Sequence, residues 1–350
     1  MKASLLRRSP TADMLLFLAR RLGQFLLTFL AASFLLFAVT EFSPGNVASK
    51  ILGPYAVRSQ VDLLQERLGL DDPLPVRYVR WLGTLSGIVE NPLARAAPTL
   101  GLSDPRGSRY LGNLGYSLML KEPVIDVVAD RLGFTALLAF WAIVFLVPIS
   151  LAAGVAAGMN RGGWVDRAIS LTAVGLTSLP EFVVAVALLL IFVAWAGLLP
   201  GTSPMNLGSA WSGAAQLVLP VAVLVIASAS YVSRIVRASV VDTLRQPYVR
   251  TAILKGLPQR QIILHHVLRN AMIAPVTVIL LQINWLLTGV VVVEAIFAYP
   301  GVGSLLLQAG LFGDIYLVQA LTLLALTVAI TTQIAGDLCY LALDPKVRLS

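Results

Sequence analysis

"RTAILKGLPQRQIILHHVLRNAM", residues 250–272, packs three arginines, a lysine and both of the chain's histidines into 23 positions. The chain around it, 350 residues long, is 57% hydrophobic and only 13% charged. An ordinary soluble domain carries about 25% charged residues. A basic island in so oily a sequence has a simple physical origin if the oily part lies in a bilayer and the island lies in water. Deciding which residues fall on which side therefore decides the fold.

Outward from the island, the apolar residues come in long runs. Residues 22–40, 132–159, 217–233, 271–293 and 315–336 contain no Asp, Glu, Lys or Arg, and 168–200 is broken only by Glu181. Spanning a hydrocarbon core of ~30 Å takes roughly 20 residues of helix. The run at 217–233 reaches that length when 213–216 are added. The expectation is an all-α polytopic membrane protein with six transmembrane helices, and a mean hydropathy of +0.83 agrees.

The first run follows Arg20 and Arg21, as a signal peptide would follow its basic region. It is too long for one, and "EFSPGN" after it offers no small-x-small cleavage site, so a retained helix over 22–40 is expected. Residues 1–21 hold Lys2, Arg7, Arg8, Arg20 and Arg21 against Asp13, which predicts a cytoplasmic N-terminus. With six spans both termini are then cytoplasmic, as are 160–167 and 234–270. The latter connection carries seven Lys/Arg against the single acid Asp242. Residues 201–213 and 295–314, on the other side, have no Lys or Arg. The basic excess thus reads as positive-inside topology, and no nucleic-acid partner is implied.

The external segment 41–131 is balanced, with ten basic and ten acidic residues. "VDLLQERLGL" (61–70) places Val61, Leu64 and Leu68 on one helical face with Gly69 as its stop. "DDP" reads as a turn, and "PLPVRYVRWLG" (73–83) as a second short helix whose Tyr78 and Trp81 suit a membrane interface. Residues 88–111, with three prolines, read as an irregular loop. Residues 132–350 form the remaining five-helix core.

Within the island, 248–254 predicts a short helix ended by Gly256, and Pro258 opens a second helix with Ile262, Ile263, Val267 and Leu268 on its apolar side. By composition alone this is a basic loop that fixes topology. His265 and His266 are adjacent on a helix and point apart, so no metal site is expected. Cys339, the single cysteine, reads as a small core residue.

The island also resembles the cytoplasmic loop of permease subunits of binding-protein-dependent ABC importers, in the form typical of the peptide/nickel branch. Tyr248, Val249, Arg250, Thr251, Ala252, Lys255, Gly256 and Leu257, then His266, Leu268, Arg269, Asn270 and Ala271, carry the match. "RRLGQFLLTFLAASFLLFAVTEFSPGN", "RLGLDDPLPVRYVRWLG", "GNLGYS", "EAIFAYPGVGSLL" and "DLCYLALDPKVR" are similar to other parts of the same family, from Arg20 almost to the end. Two features depart from it: the loop at 88–111 looks inserted, either a tolerated surface loop or a receptor contact. Glu181 stands where the family commonly has an uncharged residue.

The resemblance implies a type I ABC importer permease fold in a bacterial or archaeal inner membrane. It implies a coupling role for Arg250, Thr251, Ala252, Lys255, Gly256, Leu257, His266 and Arg269 against a cytoplasmic ATPase. The small Thr251 and Ala252 would allow close packing on that partner. It further implies a second homologous permease, an external solute-binding protein, and a peptide or related small solute. The sequence has no GxxxxGK[ST] phosphate loop, so ATP and Mg would be held by the partner ATPase and no cofactor by this chain. Ser178, Pro180 and Glu181 are the candidate translocation path. Glu181 either faces that path or is hydrogen-bonded between helices. Glu294, in the family's Glu-x-x-Phe-x-x-Pro-Gly stretch, has a gate or packing role, and Asp337 anchors the last span through a basic partner. An ion-gradient-driven secondary transporter would instead need several intramembrane charges and inverted repeats, and an intramembrane enzyme would need paired catalytic groups. Only Glu181 lies deep in a predicted span.

Overall fold

The computed structural model describes residues 10–42, 48, 52, 57–89, 114–117, 119–205, 213–288 and 290–343. In chain order the elements begin with α1 (Pro10–Glu41), α2 (Arg58–Leu68), α3 (Leu74–Leu85) and a short hairpin of β1 (Tyr116–Ser117) and β2 (Glu122–Pro123). Next come α4 (Val124–Met159), α5 (Trp164–Thr177), and α6 (Glu181–Leu188), which continues as a π-helix over Leu189–Trp195. Then follow α7 (Gly213–Leu244), α8 (Pro247–Leu254) and α9 (Gln259–Gln261), which runs through a π-helical stretch, Ile262–Leu268, into α10 (Arg269–Ala271). The last are α11 (Ile273–Thr288), α12 (Val291–Ile296), α13 (Val302–Phe312) and α14 (Ile315–Leu343). They form two compact units, one of the chain through Asp126 together with the chain from Phe312 onward, the other Val127–Leu311.

In the first unit α1 and α14 are joined by Gln319 Nε2, which donates to Thr40 Oγ1 at 2.7 Å, and by an Arg21–Asp337 ion pair at 3.0 Å. The expected anchor for Asp337 is thus Arg21. Leu64 and Leu68 of α2 are buried with Val61 packed beside them, and Gly69 ends that helix at φ +63°. Tyr78 and Trp81 of α3 lie against α1. The Tyr78 hydroxyl shares a 2.8 Å hydrogen bond with Ser33 Oγ, and the Trp81 ring sits 5.4 Å from Phe37. Arg77 pairs with Glu41 on the same side. Asp314 caps α14 by accepting the Leu317 N–H, and its other oxygen accepts from Ser117 Oγ at 2.7 Å, which pins the hairpin. The expected loop over 88–111 lies, beyond Val89, outside the described residues.

The second unit is organised around α7. Val223, Leu224, Val232, Val236 and Val240 on that helix are completely buried. On α4, Gly154 and Gly158 allow its close approach: a Cβ at Gly154 would stand 2.6 Å from the Ser233 carbonyl oxygen, and one at Gly158 2.8 Å from Val240. Small residues four apart are how membrane helices gain close backbone contact where lipid competes with any apolar side chain.

Among the described residues four helices are long and apolar enough to cross a membrane alone: α1 from Ala19, α4, α7, and α14 to Cys339. Two further spans exist only as bent pairs, α5 with α6 at 103°, and Ile262–Ala271 with α11 at 52°. Counting each bent pair as one span gives six among the described residues, but the third differs from the single helix expected over 168–200. It stops at Thr177 and restarts at Glu181. Pro180 has no N–H to give to the preceding turn and disfavours helical geometry at Leu179. Its carbonyl instead accepts from Val183 at 3.0 Å, starting a new helix in a new direction.

Candidate coupling surface and translocation path

The island of residues 250–272 folds as helix, glycine turn and helix. Pro247 starts α8 at a position that needs no donor, and Val249 and Ala252 bury one side of it in the unit's core. Gly256 closes it at φ +71°. Its N–H reaches the Ile253 carbonyl at 3.0 Å and the Leu257 N–H reaches that of Ala252, a Schellman arrangement that requires a left-handed residue between them. After the turn Pro258 offers its carbonyl to Gln261 and Ile262. Ile262, Val267 and Ala271 then pack into the same core.

Of the residues expected to couple, Arg250, Thr251, Lys255, Gly256 and Arg269 are exposed, and Leu257 and His266 half-buried. Ala252 is different. Its small side chain was expected to admit a partner, yet it is buried against this chain's own core, where a short helix must sit close to what supports it. The outward apolar residues are ones not expected to couple: Tyr248, which carries part of the family match, and Ile253 and Leu254, the last 80% exposed. Their signal was available, since α8 carries more apolar residues than one buried stripe can use. Among the described residues no three His, Cys, Asp or Glu gather as metal ligands.

A second unforeseen feature holds this surface in place. Asp166, in the first turn of α5, is buried and accepts from Arg237 of α7 through both Nε and Nη2, the latter at 2.8 Å. The Gly162 N–H at 2.9 Å and Ser170 Oγ at 3.2 Å complete the shell. Fork-to-fork pairing fixes orientation as well as distance, and it locks the two helices about two turns before α7 ends.

Ser178, Pro180 and Glu181 all fall at the break of the third span. The Ser178 hydroxyl donates to the Val174 carbonyl at 2.8 Å, within its own helix. Glu181 is half-buried and has neither hydrogen-bond nor ion-pair partner among the described residues. It lines a cleft of about 320 Å3, with Thr177 and Pro180 on its own side, Ser228 and Tyr231 of α7 and Gln282 and Trp285 of α11 opposite.

Glu294 has the opposite environment. It is completely buried and accepts from Thr135 Oγ1 and from the Ser304 N–H, each at 2.8 Å. Thr135 in turn accepts the Val302 N–H at 2.8 Å, and the Tyr299 hydroxyl donates to the Phe134 carbonyl at 2.7 Å. Any Cβ at Gly301 would overlap the Glu294 carboxylate, so "YPGVGS" is shaped around that group. This joins α4, α12 and the start of α13, which is packing geometry.

Comparison with known proteins agrees with this architecture. Residues 132–349 match the family described as "Binding-protein-dependent transport system inner membrane component", and 14–139 match its N-terminal companion. The "Glutathione transport system permease protein GsiC" of Escherichia coli O6:H1 is 33% identical over 335 residues, covering 96% of this chain and 99% of that protein. The "Probable peptide ABC transporter permease protein y4tP" of Sinorhizobium fredii is 30% identical over 336 residues, covering 95% and 99%. Among solved structures, a chain of the MetNI methionine ABC transporter in inward-facing conformations aligns at a TM-score of 0.53 and 18% identity, covering 63% of this chain and 97% of that one, a likeness of fold. With four to six candidate spans among the described residues and a basic helix–turn–helix leading from α7 into α11, the chain belongs to the inner-membrane components of binding-protein-dependent transport systems: it is a multi-pass permease subunit of an ABC importer, not an ion-gradient-driven transporter.

Proposed function

We propose that this permease carries peptides or related small solutes, delivered by an external binding protein, and that α8 with the Gly256 turn is where a cytoplasmic ATPase docks. The names of its relatives support the solute class. Both termini lie in the cytoplasm, a second homologous permease completes the pore, and ATP with Mg is held by the ATPase.

The observation that carries the docking reading is the two-sidedness of α8. Val249 and Ala252 fasten it to the core, while Tyr248, Arg250, Thr251, Ile253, Leu254 and Lys255 face outward. Charged residues at the rim of such a contact contribute ~0–1 kcal/mol each; desolvated apolar residues at its centre contribute more. ATP-driven closure of the ATPase pair would push on α8, and the Asp166–Arg237 lock would pass that push to α5 and α7. ATP shifts such an equilibrium only by binding the two states with different affinity.

The test is co-purification of the tagged protein from membranes in mild detergent. The wild type should bring down an ATPase. Leu254→Asp, altering a side chain that supports nothing in the fold, should lower recovery by about tenfold or more, as loss of an interface hot spot does, with membrane expression unchanged. Gly256→Pro should do the same, because proline cannot adopt positive φ. No ATPase with the wild type, or full recovery with Leu254→Asp, would sink the assignment.

A further inference from the structure

The cleft at the broken third span is built unlike the rest of the apolar bundle. Glu181 starts α6 at a chain break, and α5 rises ~21 Å from its first residue to that break at 1.5 Å per residue, which sets the carboxylate well inside the span. A carboxylate at such depth is costly unless something answers its charge. The positive end of α6 answers a fraction of it. Among the described residues no side chain answers the remainder, and no lysine, arginine or histidine lines the cleft.

The opposite wall is equally unfinished. Ser228 is 3% exposed, and its hydroxyl has no hydrogen-bond partner among the described residues. Gln282 adds an amide, and Tyr231 and Trp285 add aromatic faces. One negative charge, an idle buried hydroxyl, an amide and two π-faces around one space are complementary to a single kind of group. A cationic nitrogen satisfies the carboxylate by a charge-assisted hydrogen bond, donates to the hydroxyl, and is attracted by the ring faces. An anion would be repelled, and a purely apolar group would leave Glu181 and Ser228 unanswered.

We propose that this cleft binds the ammonium group of the transported solute, such as the free amino terminus of a peptide, with Glu181 as counter-charge and Ser228, Tyr231 and Trp285 as its other contacts. The inference rests on the permease reading above and narrows its solute class to amine-bearing molecules. Discontinuous helices that expose polar groups within a bundle are a physically suitable place for such a site.

The experiment is saturation-transfer NMR on the full chain in lipid nanodiscs, titrated with triglycine amide, a cation, and with N-acetyl triglycine amide, its neutral counterpart. The cation should bind saturably and about tenfold more tightly than the neutral form, the ratio expected of one hydrogen bond to a charged group. In Glu181→Gln, a change that keeps shape, the two probes should bind alike. Trp285→Leu, which keeps the charge, should weaken the cation alone. Equal binding of the two probes by the wild type, no saturable binding of the cation, or unchanged preference in Glu181→Gln would each overturn the proposal. None of these depends on the ATPase, so failure of docking at α8 and failure of the ammonium site are separate results.

Discussion

Glu181 and Glu294 are both carboxylates set among apolar helices of the same unit, and they are held in opposite ways. Glu294 is wholly enclosed, with hydrogen bonds from Thr135 and Ser304 and two glycines shaped around it. Glu181 is half-exposed to a polar-lined cleft, and nothing in the described chain completes it. A buried polar group that is fully answered belongs to the fold, and removing it orphans its partners. One left unanswered beside a space is available to something that enters. Asp166 falls with Glu294: its two oxygens are taken by Arg237, Gly162 and Ser170.

The sharpest way to break this contrast is Glu294→Ala. It would leave the Ser304 N–H without its acceptor and Thr135 with one bond fewer, inside a site closed to water. Each orphaned buried group costs about 1–3 kcal/mol. The variant should therefore lose several degrees in thermal unfolding in detergent and accumulate poorly in the membrane. An unfolding midpoint equal to that of the wild type would mean that Glu294 is no more a structural group than Glu181 is.

How much of this was legible in the sequence depended on how local the cause was. The spans were readable because lipid excludes charge along the whole of each run, and the helix stops at Gly69 and Gly256 because a left-handed cap is a one-residue property. Residues 168–200 read as one span despite Pro180, because the 103° turn depends on where Val184 and Ala185 pack afterwards, which neighbouring residues do not encode. Ala252 looked like a surface contact since spacing alone does not say which side of an eight-residue helix is supported. Asp166 was one acid in a basic loop, and its partner lies 71 positions away. Glu181 was recognisable as costly from its run alone, whereas the groups opposite it come from two other helices.

Asp166→Asn tests the intermediate case. The amide keeps the size of the carboxylate but removes the charge that faces the Arg237 fork, and its nitrogen meets donors. Losing one member of a buried pair costs about 3–5 kcal/mol, and the third of the Arg237 side chain left exposed lets water recover some of that. A loss of about 2–3 kcal/mol is expected, smaller than for Glu294→Ala if two groups are orphaned there. Limited proteolysis should show faster cleavage around 160–167 and 245–247, because the lock restrains the ends of α5 and α7. Unchanged cleavage would mean that those ends are held by apolar packing, and that Arg237 contributes only positive charge to the inner face.

The smallest effect on folding is expected from Glu181→Gln. Glutamine fits the same volume, orphans no partner among the described residues, and relieves the first turn of α6 of a charge that is desolvated within the span. Helix-dipole stabilisation of the carboxylate, about 0.3–1 kcal/mol, opposes that relief. The dipole answers only a fraction of that desolvation cost, so the unfolding midpoint should not fall below that of the wild type. Solute handling should nevertheless change, with uptake of an amine-bearing solute falling relative to its acylated counterpart in cells producing the assembled importer. If Glu181→Gln instead unfolds as readily as Glu294→Ala, Glu181 has a protein partner after all. The cleft would then be a gap between packed helices, and the distinction between the two carboxylates would fall.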